Sequence, residues 1–309
     1  MKKIILFILL ITFGVLSRAS EVIIVLTRKD VSQYAVNSYI IKNDSTFLLS
    51  KSYHISDTDA FLWNNTPVSE SWNNKEKSYI VSFYTDCGIR KLELLEYDWG
   101  YCKAFTNNKN TLSLMITNTE MENDNDLMEI VLFNKIKNKS NKLSIRNNQI
   151  MYVDKKDNIS LAYFDEFPRG AGVVDKTIMI KIIDCKNNDV LIADQIHTQN
   201  SDFSYEHGEE CFVFANIQWL NTNEIAYMTM QKKEEEISIL NLYKYSLKTK
   251  ERSLYKTIYF PHSIENISFQ IVDDKLYISN FNRIYLLNND ELQEIIFSDN
   301  IIDFYIDKN

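Results

Sequence analysis

The stretch Cys211–Tyr259 constrains this chain more than any other, because short apolar runs alternate there with polar turns. Cys211 to Gln218 is an apolar run of strand length, and Trp219 with Asn221, Thr222 and Asn223 turns the chain. Ile225 to Met230 is a second run, rich in aromatic, branched and apolar side chains. Gln231 to Glu236 is entirely polar and reads as an exposed connection. From Ile237 to Leu247 the pattern has a period of two. Ile237, Ile239, Tyr243 and Tyr245 fall on one face, Leu240 and Leu242 on the other. Lys248 to Glu251 is a further polar turn, and Ser253–Tyr259 a fourth strand. Four antiparallel strands bury too little apolar surface to stand alone. Such a unit needs neighbours, which a sandwich, a barrel or a propeller supplies.

Copies of the unit lie on both sides. Ile264–Val272, Lys275–Ser279, Arg283–Leu287 and Leu292–Phe297 read as four more strands, with turns at Asp273 and Asp274, at Asn280 to Asn282, and at Asn288 to Asp290. An earlier copy is read from Trp72, with strands at Tyr79–Tyr84 and Ile89–Tyr97. Tyr79, Tyr152, Tyr227 and Tyr277 are placed at comparable points, each starting or centring a second strand. Repeats of roughly 40–50 residues fit four-stranded propeller blades. The order Trp219, polar turn, Glu224 to Tyr227, polar turn, Leu242 to Tyr245 resembles the blade repeat of TolB-type and related six- to eight-bladed β-propellers. The resemblance covers the last third of the chain and the segment Trp72–Tyr97. It is architectural and carries no functional residues. It implies an all-β fold, a single β-propeller of six or seven four-stranded blades over residues 20–309. Asn300–Ile306 is expected to return to the first blade and remove a free edge.

The chain starts with Met1, Lys2 and Lys3, followed by the apolar segment Ile4–Leu16, well short of the ~20 residues a membrane-spanning helix needs. Ser17, Arg18 and Ala19 place small residues before Ser20, so residues 1–19 read as a secretory signal peptide. The expected location is secreted or periplasmic, with no membrane span after cleavage. The net charge of −8 becomes −11 once Lys2, Lys3 and Arg18 are removed. An acidic chain without an evident basic cluster argues against nucleic acid or anionic lipid as partner. Glycine is scarce, at 6 residues, and asparagine is expected to take over turn positions.

Cys87, Cys102, Cys185 and Cys211 are an even set in an exported chain, which favours disulfides. Four cysteines allow three connectivities, and pairing of near neighbours gives Cys87–Cys102 and Cys185–Cys211. No CxxC or CxxH spacing points to zinc. His207 to Cys211 groups ligand-type residues, but Ser201–Glu210 reads as a solvated loop leading into a strand. Glu122 to Asp126 lacks the glycine and glutamate of a calcium loop. No metal and no cofactor is expected. The first choice for a binding loop is Phe164 to Gly172, with Asp165 and Glu166 as acids and Arg169 as a clamp for a carboxylate or phosphate. Trp63 is added as an exposed aromatic platform, while Trp72 and Trp219 are assigned to packing. No GxSxG and no local Cys/His pair offers a nucleophile, so no catalytic residue is named. The function expected is a non-catalytic scaffold binding a protein or small ligand through loops at one mouth of the ring. The alternative is a propeller-type glycosidase or lyase with carboxylates lining the channel.

Overall fold

The computed structural model describes residues 21–308 apart from 31–32, 43–44, 49–52, 56–58, 64, 74, 77, 86–87, 95–110, 118–126, 135–138, 147–151, 154–159, 168–175, 185–188, 199–209, 214–216, 233–237, 261–266 and 289–290. Every regular element among the described residues is a strand, and the strands form six antiparallel sheets in chain order. The first sheet holds β1 (Glu21–Asp30), β2 (Gln33–Lys42), β3 (Ser45–Leu48) and β4 (Tyr53–Ile55). The second holds β5 (Asp59–Trp63), β6 (Thr66–Asn73), β7 (Ser78–Thr85) and β8 (Gly88–Leu94). The third holds β9 (Thr111–Thr117), β10 (Leu127–Asn134) and β11 (Lys139–Arg146). The fourth holds β12 (Tyr152–Val153), β13 (Ser160–Phe167), β14 (Lys176–Asp184) and β15 (Asp189–Thr198). The fifth holds β16 (Glu210–Phe212), β17 (Gln218–Asn221), β18 (Glu224–Lys232), β19 (Ser238–Ser246) and β20 (Glu251–Phe260). The sixth holds β21 (Ser268–Val272), β22 (Lys275–Asn280), β23 (Arg283–Asn288) and β24 (Glu291–Ile296). The last strand, β25 (Asn300–Lys308), pairs with β1 from Glu21 opposite Lys308 to Arg28 opposite Asn300. Both ends of the described chain therefore build the first sheet.

The period of two explains why the sheets stack. On β19, Leu240 and Leu242 join Met228, Ile258 and Phe260 against Phe269, Leu276 and Ile278 of the sixth sheet. Tyr243 and Tyr245 point the other way, into a core shared with Phe164, Ile178 and Ile180 of the fourth sheet. The same sorting occurs on β1. Ile23 and Val25 meet Tyr277, Ile284 and Leu286 of the sixth sheet, whereas Val22, Ile24 and Leu26 meet Ala60 and Leu62 of the second. A strand buried on both faces has no polar alternate, so Val22 to Leu26 is an unbroken apolar run. Each fully buried side chain of this kind contributes about 1.5–3 kcal/mol. The fifth, sixth and first sheets each bury one face against the sheet before and the other against the sheet after.

Three sequence expectations are corrected. The run Cys211–Gln218 is two short strands, β16 and β17, both paired with β18. Trp219 lies within β17 instead of opening the turn, because Ile217 and Trp219 bury themselves toward the fourth sheet. The early copy does not start at Trp72. Its sheet begins at Asp59, with Trp63 opposite Thr66 across the first hairpin. Tyr79 consequently falls on a third strand and Tyr152 on a first, while Tyr227 and Tyr277 are on the central strands expected. These tyrosines therefore do not mark strand order. Finally, among the described residues the non-glycine positions in the left-handed region are Lys250, Asp273, Asp274 and Phe281, and none is an asparagine. Asparagine acts through its side chain: Asn73 Oδ1 accepts from the amides of Lys75 and Glu76, and Asn221 Oδ1 accepts from the amide of Asn223.

Candidate functional site

Asp165 lies on β13 with 5% of its surface exposed. Its carboxylate accepts an ion-paired hydrogen bond from Lys181 Nζ on β14, two residues along from Met179, its partner in the ladder. A buried carboxylate is expensive unless paired, and Lys181 removes that cost within the sheet. The backbone of Glu166 pairs with Ile178 in the same ladder. The side chain of Glu166, and all of Arg169, lie outside the described residues. Trp63 is not brought to this place. It sits in the second sheet, 3% exposed, with its ring edge-to-face on Phe83 at 5.8 Å.

Cys211 is buried, and its Sγ donates to the carbonyl of Met230, its ladder partner, at 3.5 Å. Cys87, Cys102 and Cys185 lie outside the described residues, as do His207 and Glu122 to Asp126. Among the described residues no group of three or more His, Cys, Asp or Glu side chains is placed to hold a metal ion. No described helix is long and apolar enough to cross a membrane.

Two polar constructions were not visible from sequence spacing. The first joins the fourth and fifth sheets. A register shift between Ile180 and Lys181 sets Asp194 opposite Ile180, on the face shared with the fifth sheet. Asp194 Oδ2 accepts from the Tyr227 hydroxyl at 2.7 Å and from Arg252 NH1 at 2.7 Å, while Oδ1 accepts from the Gln195 amide at 2.9 Å. The guanidinium of Arg252 lies 5.1 Å from the Tyr243 ring centroid, and Tyr243 stacks on Tyr227 at 5.8 Å. Burial, followed by the adjacent Asp194, holds the Tyr227 hydroxyl far above the ordinary tyrosine range. Asp194 likewise raises the already high pKa of Arg252. Tyr227 is thus a fixed donor, protonated at any physiological pH, and the group works as a clamp between sheets.

The second construction is a series. Gln218, on β17, donates from Nε2 to the Ile271 carbonyl at 3.0 Å and accepts at Oε1 from the Ile271 amide at 2.7 Å. Gln270, on β21, donates to the Phe304 carbonyl at 3.5 Å and accepts from the Ile306 amide at 2.8 Å. Asp303, on β25, accepts from the Leu62 amide at 3.0 Å and from the Phe304 amide at 2.8 Å. Side chains therefore bridge the fifth sheet to the sixth, the sixth to the first and the first to the second. A glutamine amide carries both donor and acceptor, so it holds an N–H and a C=O as a neighbouring strand would. A carboxylate accepts only, and Asp303 takes N–H groups alone. One signal was available: Ile217, Gln218 and Trp219 match Phe269, Gln270 and Ile271 as a glutamine inside an apolar run just before a hairpin.

No protein-family model matches the chain, and no curated protein does. Solved structures do. A chain of the nidogen/laminin complex aligns with a TM-score of 0.50 at 7% identity, covering 93% of this chain and 98% of that one. The β-propeller domain of the Trilobed protease from Pyrococcus furiosus gives 0.41 at 14% identity, over 77% of this chain and 69% of that one. The Vanderwaltozyma polyspora Nup133 β-propeller domain gives 0.42 at 10%, over 95% and 91%. At such identities a likeness bears on fold alone. The fold is all-β and propeller-like, its sheets following one another in sequence, with strands from both ends of the described chain meeting in one of them.

Proposed function

We propose that this chain is an exported, non-catalytic scaffold, a single β-propeller of six blades over residues 20–309 with a TolB-type repeat. It binds a protein or small ligand through loops at one mouth of the ring; the segment first to be tested runs from Glu166, near the end of β13, to Arg169, while Asp165 is taken up by Lys181 within the sheet. The observation that carries the scaffold reading is the engagement of the acids within the sheets. Asp165 is held by Lys181, Asp194 by Tyr227 and Arg252, and Asp303 by two backbone amides. These carboxylates join strands and sheets, whereas a glycosidase or lyase needs its pair directed at a substrate. The six sheets and the pairing of β25 with β1 support the blade count.

Photo-crosslinkers placed at positions 166 and 169 in exporting cells should give a discrete adduct. Turnover of chromogenic glycosides by the purified mature chain, lost in carboxylate-to-amide variants, would overturn the reading. Export is checked by mass spectrometry, which should find a mature start at Ser20. The pairings Cys87–Cys102 and Cys185–Cys211 are part of the proposal. Thiol labelling of the denatured, unreduced secreted protein should then find no reactive cysteine.

A further inference from the structure

We infer that the outer edge of β20 is a docking strand for an extended, acidic segment of a partner protein. Among the described residues β20 pairs with β19 and no further strand. The outward N–H and C=O groups of such a strand are a template for one more strand. Register places Arg252, Leu254 and Tyr259 opposite Tyr245, Tyr243 and Ile239, hence on one face. Leu254 is 55% exposed and Tyr259 67%, a stepped apolar strip that an added strand would extend.

Charge selects the partner. From Lys244 to Lys256 stand Lys244, Lys248, Lys250, Arg252 and Lys256, against the single carboxylate of Glu251. The chain's overall charge of −8 averages this hairpin away. The hairpin is also fixed in shape. Lys250 N donates to the Ser246 carbonyl at 2.8 Å, Thr249 N donates to Ser246 Oγ at 3.3 Å, and Lys250 takes the left-handed conformation at φ 60°. Lys244 Nζ is seated 3.6 Å from the Tyr255 centroid, and Arg252 is aimed by Asp194. Asp194 offsets part of the Arg252 charge, whereas Lys248 and Lys250 stand exposed at the turn. Lysines on an edge strand deter pairing with a like edge. A second copy of this chain would set cation against cation, whereas an acidic strand sets opposite charges across the new ladder. The inference does not rest on the mouth-loop reading, which involves a different sheet.

The test uses the mature chain and a fluorescent peptide alternating glutamate with valine. Its controls are a lysine/valine peptide, the glutamate/valine peptide with alternate amides N-methylated, and single-stranded oligothymidine. The glutamate/valine peptide should bind saturably and slow amide exchange in residues 251–260. The double variant Lys248→Glu/Lys250→Glu, which retains the wild-type circular dichroism, should bind roughly tenfold more weakly. N-methylation should abolish binding, and Glu166→Gln/Arg169→Gln should leave it unchanged. Failure of the peptide to bind, equal binding by the N-methylated peptide or oligothymidine, or protection appearing elsewhere would each overturn the inference.

Discussion

The leading strands β17, β21 and β25 and the trailing strands β20 and β24 face the same difficulty and meet it differently. Each lies at the edge of its sheet, with one row of peptide groups turned away from its ladder. On the leading strands, Gln218, Gln270 and Asp303 reach to the next sheet and take up its peptide groups. On the trailing strand β20 the bridge is an ion pair running back to the fourth sheet, from Arg252 to Asp194. Leu254, Tyr259 and Ile296 are exposed, and Lys256 lies between the first two. The comparison teaches that the leading strands are joined to the next sheet through its peptide groups, whereas β20 is joined to the sheet before it through a charged side chain. Asp194 sharpens it, because this residue of a trailing strand, β15, turns inward and clamps two sheets.

The largest effect should come from that exception. Asp194→Ala leaves the buried Tyr227 hydroxyl without its acceptor and Arg252 without its counter-ion, and should destabilise by about 2–3 kcal/mol in urea titration. The same site predicts an alkaline limb. The folded-state pKa of Tyr227 lies above its unfolded value, so its contribution is complete below the ordinary tyrosine pKa of about 10 and declines as pH rises beyond it. Tyrosinate absorbance should show one tyrosine that ionises only on unfolding, and Tyr227→Phe should remove that component of the alkaline loss.

Next in size is the series of bridges. Gln218→Ala takes the partner from both the amide and the carbonyl of the half-buried Ile271 and should cost about 1–3 kcal/mol. Gln270→Ala should cost less, since its bond to Phe304 is already long. If both prove neutral by thermal unfolding, the contrast between leading and trailing edges collapses. Lys250→Gly relieves a left-handed residue in the β19–β20 turn and should raise stability by about 0.5–1 kcal/mol. At the far end of the scale, Tyr259→Ser on the open edge should change stability by no more than about 0.5 kcal/mol.

What could be read in the sequence was whatever a single strand encodes. Leu240 and Leu242 alternate with Tyr243 and Tyr245, which puts them on opposite faces of β19; the two cores that receive those faces came from the structure. The return of Asn300–Ile306 was legible for the same reason, since Ile301, Phe304 and Ile306 need a face to bury against. The start of the second sheet was misread, because the pairing of Trp63 with Thr66 is a contact in space that the polar residues between them do not announce. Trp63 itself is enclosed by Phe83, a partner on another strand that local sequence does not announce. The clamps were hidden more deeply. Asp194, Tyr227 and Arg252 come from three strands, and the bridges end on backbone groups that every residue possesses. Only pairing in space distinguishes those atoms from any others.

The central claim is that both ends of the domain meet in one sheet, and it is tested most directly by nitroxide labels at Arg28 and Asn300. The two residues are exposed and stand opposite each other at the end of the β1–β25 ladder. Cβ atoms of such cross-strand pairs lie about 5 Å apart, so the doubly labelled chain should show strong dipolar broadening that vanishes on denaturation. A spectrum in the folded state equal to the sum of the two singly labelled chains would contradict the account.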